Sequence, residues 1–205
     1  MYKKRRFEVL INSFCQIFYA VFWIFLIFGF EEKTLAITTC LCALIHEMGH
    51  ALCIVFTRAT NLNLKSTFNG LRFKHQGIGS YDEELLIYLC GPLANILTFF
   101  ICAIFSLLFH QNYMTIGIIN LATAISNLIP IKGNDGYGAI LTIIKKRELH
   151  VTYFRFLSCI SSALIFIFCI LSLYLIDRHG GGYWIFFVFF VSMLREINDS
   201  LKEKF

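Results

Sequence analysis

Long apolar runs separated by short polar and charged stretches dominate the pattern of this chain. Apolar side chains fill about Val9–Phe30, Thr34–Thr57, Glu84–Phe109, Tyr113–Ile131, Thr152–Ile176 and Tyr183–Leu194. All but the last are long enough to cross the ~30 Å hydrocarbon core of a bilayer as helices. The pattern predicts an all-α polytopic membrane protein with about six transmembrane helices. Asn61–Ser80 departs from that period, with short alternation around Leu62 and Leu64 followed by Phe68-Asn69-Gly70-Leu71. Asn-Gly is the strongest two-residue hairpin signal, so a small β-hairpin is expected between the second and third spans. The chain reads as a single integral-membrane domain over 1–205, with a core at about 34–141 and C-terminal helices at about 152–194.

Composition excludes an ordinary soluble domain, since 58% of the residues are hydrophobic, with 23 Phe and only 2 Pro. The net charge of +5 needs no nucleic acid to explain it. Beginning with the Lys3–Arg6 cluster inside, alternate segments collect Arg58, Lys65, Arg72, Lys74, Lys145, Lys146, Arg147, Arg195, Lys202 and Lys204, whereas the other side holds Lys33 and Arg178. That asymmetry predicts a multi-pass protein in the lipid bilayer with both termini cytoplasmic. The N-terminal Met-Tyr-Lys-Lys-Arg-Arg leads into an apolar run without a small-residue cleavage site, so a retained first span is expected. The 8 Cys include no C-x-x-C pair, which argues against a disulfide framework or a thiolate cluster and favours small core hydrophobes.

The second span carries the chemistry. Its one charged residue is Glu47, and it contains His46 and His50 at a spacing of i, i+4. Two imidazoles so spaced share one helix face and can grip one metal ion. In His-Glu-x-x-His the carboxylate between them is placed to take a proton from a metal-bound water. An ionised group inside a membrane span costs at least ~2.5–3.5 kcal/mol, which favours a functional role for it. A catalytic zinc takes three protein ligands and an open position, and Asp135 is the candidate for the third. Taken alone, Asp135 in Asn134-Asp135-Gly136 reads as a turn residue; beside two histidines the ligand reading is preferred. His50 and His46 precede Arg58 by about 12 and 18 Å of helix, so the metal is expected in the cytoplasmic half of the membrane. In the third span, Gly91-Pro92 predicts a kinked or interrupted helix. Asn95 either bonds a neighbouring helix or orients a substrate.

His46-Glu47-x-x-His50, then Gly91-Pro92-x-x-Asn95, then Asn127-x-x-Pro130 leading to Asp135-Gly136, resembles the site-2 protease family of intramembrane zinc metalloproteases (peptidase family M50). The compact layout is most similar to the bacterial branch that includes the sporulation factor-processing peptidase. The resemblance covers about Thr34–Leu141 with the motifs in the family's order. It implies one Zn2+ per chain held by His46, His50 and Asp135, with Glu47 as catalytic base. Asn95 and Asn127 are implied as substrate or transition-state contacts, and the Asn61–Ser80 hairpin as a sheet beside the substrate path. It further implies a bacterial cell membrane and a membrane-protein or membrane-associated protein substrate. The chain departs from the family pattern at Lys132-Gly133-Asn134, where Leu usually precedes Asp-Gly, and at Tyr137-Gly138. No stretch is long enough for a separate regulatory domain, so control is expected from a regulatory membrane partner or from substrate trimming. Two readings compete with the peptidase: a zinc transporter or sensor, which would need a continuous polar path through several spans, and a non-catalytic membrane scaffold derived from the protease.

Overall fold

The computed structural model describes residues 28–29, 32–57, 62–67, 70–75, 80–109, 113–179 and 183–202. In chain order these form α1 (Lys33–Thr57), β1 (Leu62–Thr67), β2 (Gly70–His75), α2 (Tyr81–Phe109), α3 (Met114–Leu128), α4 (Asp135–Lys146), α5 (Val151–His179) and α6 (Tyr183–Lys202). Strands β1 and β2 pair antiparallel, with Leu62 opposite His75 and Thr67 opposite Gly70. Helix α2 is the hub, packing against α1, α3 and α4, while α5 packs on α4 and α6.

Lys33–Thr57, Tyr81–Phe109 and Val151–Arg178 are long and apolar enough to cross a membrane. Phe56 and Leu107 are among the large apolar side chains these helices leave exposed, as a lipid-facing surface requires. The expected first span, Val9–Phe30, lies outside the described residues apart from Phe28 and Gly29. The expected fourth span, Tyr113–Ile131, is cut back to the 15 residues of α3. At 1.5 Å per residue it is about 22 Å long, short of the hydrocarbon core. The cause is local. Ile129 is extended at φ −64°, ψ 133°, the region favoured before a proline, and Pro130 follows.

Of the kink or interruption expected at Pro92, the structure rules out the interruption, because α2 runs unbroken through that residue. Pro92 forgoes one helical hydrogen bond, but it is fully buried in a helix of 29 residues gripped on both flanks. The helix also begins earlier than apolarity suggests. The Ser80 Oγ accepts from the Glu83 N–H and the Glu83 carboxylate accepts from the Ser80 N–H, each at 3.3 Å, which makes a capping box. Asp82, Glu83 and Glu84 in the first turn complement the helix dipole. Asp82 also pairs with Lys146 at the end of α4.

Candidate metal centre

Helix α1 stacks His46 and His50 one turn apart, with ring centroids 4.8 Å apart and planes 87° to each other. Both are buried, at 6% and 4% exposure. The Nδ1–H of His50 donates to the Ile87 carbonyl of α2 at 2.7 Å. A carbonyl only accepts, so the proton belongs on Nδ1 and the Nε2 lone pair is free to face inward. This outer contact is the kind that orients a metal-ligating imidazole. The approach of α2 is close because residue 91 has no side chain. A Cβ at Gly91 would collide with the His50 imidazole and would come within 2.9 Å of His46 Cε1.

Asp135 reaches the same place by a tight reversal after α3. The Asn134 N–H donates to the Ile131 carbonyl at 2.9 Å. Gly133 at φ 114° takes the left-handed position that such a turn demands. The turn is anchored on both sides, since the Lys132 N–H donates to Ser161 Oγ of α5 at 2.8 Å and the Asn134 amide donates to the Ser126 carbonyl at 2.7 Å. Lys132-Gly133-Asn134 thus builds a defined turn. Asp135 is the first residue of α4, an element the loop-like sequence did not suggest. Gly136 presses its Cα against the Leu128 backbone, where a Cβ would overlap the carbonyl. Gly136→Ala is therefore expected to lower stability by about 1–3 kcal/mol, read as a lower thermal midpoint in detergent. An unchanged midpoint would show that α4 shifts freely.

The three ligand atoms converge. His46 Nε2 lies 2.9 Å and His50 Nε2 3.2 Å from Asp135 Oδ2. The two Nε2 atoms are 3.2 Å apart. An ion bonded at ~2.0–2.1 Å to three tetrahedral ligands holds them roughly 3.3–3.4 Å from one another, so this triangle matches a divalent metal site to within a few tenths of an ångström. The donor set of two imidazole nitrogens and one carboxylate oxygen suits such an ion as well.

No family model matches this chain. No curated protein matches it. Among solved structures it is similar to the Site-2 Protease from Methanocaldococcus jannaschii, with a TM-score of 0.63 over 90% of this chain and 87% of that chain, at 20% identity. The chain has the site-2 protease fold. Within the site-2 protease fold as built by this sequence, helices α1 and α4 bring His46, His50 and Asp135 together, and α2 closes over the imidazoles through Gly91.

The other candidate residues occupy different settings. Glu47 is half-buried, and one carboxylate oxygen is buried without a hydrogen-bond partner. Asn95 on α2 is fully buried, with neither end of its amide hydrogen-bonded. Asn127 is half-buried and donates to the Thr123 carbonyl of its own helix at 3.0 Å. Neither amide bonds the His-His-Asp group. Asn120 was missed: it is fully buried on α3, donates to the Ile116 carbonyl at 3.0 Å and leaves its Oδ1 without a partner. The signal was available in Gly117, Asn120 and Ala124, small or polar residues recurring on one buried helix face.

Proposed function

We propose that this protein is an intramembrane zinc metalloendopeptidase that cuts a transmembrane or membrane-proximal segment of a protein substrate. The observation that carries the reading is the convergence of two imidazole nitrogens and one carboxylate oxygen inside a site-2 protease fold. His46, His50 and Asp135 would hold one zinc ion per chain, leaving a fourth position open. When bound, zinc polarises the scissile carbonyl and lowers the pKa of water to about 7. Glu47, next to His46 on α1, takes the proton of the attacking water and passes one to the leaving amine.

Other residues serve the substrate in this reading. The unpartnered amide of Asn95 offers a donor and an acceptor, and a buried amide left without partners costs about 1–3 kcal/mol, which a substrate carbonyl or amide would relieve. Asn127 is assigned the same kind of contact from its place in the motif. A substrate helix must unwind to expose its peptide bond, and strand addition to the β1–β2 pair would replace its lost backbone bonds. The distribution of Lys and Arg supports both termini on the cytoplasmic side, and the family resemblance is what suggests a bacterial cell membrane and a regulatory membrane partner governing access.

The test is metal removal. Chelation is expected to stop cleavage of a membrane-protein substrate in detergent or vesicles, and zinc, unlike magnesium, is expected to restore it. Cleavage that continues in fully chelated protein would end the metallopeptidase reading.

A further inference from the structure

Behind the centre, α1 and α2 leave a groove of about 360 Å³ lined by Leu52, Cys53, Phe56, Cys90, Leu93 and Leu97 among others. Its walls are apolar except for the two thiols and the Thr57 hydroxyl. The helices touch here: a Cβ on Gly49 would lie 2.6 Å from the Cys90 carbonyl oxygen. Cys53 is packed with Ile87, and Cys90 packs against that pair. Cys53 of α1 and Cys90 of α2 line the same groove from opposite sides of the helix interface. Cys53 is buried at 6% exposure and Cys90 half-buried, so the groove gives a small apolar reagent a route to both. Cys42 and Cys102 do not line the groove.

We propose that Cys53 and Cys90 are a dithiol modification site, which a small, neutral two-electron oxidant of the diazenedicarboxamide class closes to a disulfide joining α1 to α2. One thiol adds to the N=N bond of the oxidant, and the second attacks the resulting sulfur–nitrogen adduct. Two S–H bonds break and one S–S bond forms. The two sulfurs lose one electron each, and the electron pair and both protons leave on the hydrazine product. The bond joins a residue three positions after His50 to the residue before Gly91, so it fastens the two helices at the back of the His-His-Asp group. A thiol reductant reverses it.

The experiment uses the full chain in detergent micelles. It is treated with diamide, denatured in N-ethylmaleimide, and digested without reductant for mass spectrometry. The expected result is a linked peptide containing Cys53 and Cys90, with both cysteines lost from the alkylated pool in equal amount and both recovered after dithiothreitol. In Cys90→Ala, Cys53 is expected to stay alkylated; in Cys42→Ala, the Cys53–Cys90 link is expected to persist. If either variant fails to fold, the wild-type peptide map alone decides. Full alkylation of Cys53 and Cys90 after oxidation, a link from either to another cysteine, or a link between two chains overturns the proposal.

Discussion

Glu47→Gln is expected to abolish peptide cleavage while leaving one zinc ion bound per chain. Gln has nearly the shape of Glu but cannot accept a proton, and a general base is worth roughly 10²–10⁴-fold in rate. The ligand atoms on His46, His50 and Asp135 do not include the Glu47 carboxylate, so the metal should remain. Stability should be unchanged or rise, because one Glu47 oxygen is buried without a partner and an uncharged amide costs less to bury than a carboxylate. Three measurements on one preparation check this: turnover of a membrane substrate, metal content, and thermal midpoint. Turnover within tenfold of wild type would remove Glu47 from the chemistry, and loss of both zinc and turnover would make it a structural residue.

Asp135→Ala is expected to fail at an earlier step, by losing the metal. It removes one of three protein ligands and leaves two imidazoles 3.2 Å apart with no anion between them. Loss of an outer-shell partner alone costs about 10–100-fold in metal affinity, so loss of a direct ligand should cost at least ~100-fold. By linkage, a 100-fold weaker affinity at a saturating zinc concentration removes about 2.7 kcal/mol of metal-dependent stabilisation. The useful comparison is the zinc-induced rise in thermal midpoint, large in wild type and nearly absent in the variant, since each protein is then its own reference. An Asp135→Ala protein that keeps stoichiometric zinc with wild-type affinity would exclude Asp135 as a ligand. The two variants separate the roles: one should hold metal without turning over, the other should do neither.

The departures from expectation have physical causes that run in one direction. Apolarity marks where a segment can lie in lipid, but the capping box at Ser80 and Glu83 starts α2 before its apolar run begins. Pro92 looks like a breaker in isolation. Packing of α2 against α1, α3 and α4 holds the helix together across the missing bond. In the 129–134 segment, proline and glycine announced a turn but not its destination. The bond from Lys132 to Ser161 and the contact of Gly136 with Leu128 decide that, and neither partner is a sequence neighbour. Asn120 escaped notice because the small-or-polar face it shares with Gly117 and Ala124 signals close helix packing without revealing that its amide oxygen stays unpaired.

By itself the sequence determined what depends on near neighbours: apolar helices, and two imidazoles on one face of α1, because an i, i+4 spacing places side chains together in any α-helix. It also supplied the residue types a metal site needs. Only the tertiary structure decided that Asp135 closes the triangle and that α2 comes near enough to orient His50. Those contacts join residues distant along the chain, and they form where missing side chains at Gly91 and Gly136 allow one backbone to approach another. No local periodicity encodes such an approach; it follows from how the helices pack.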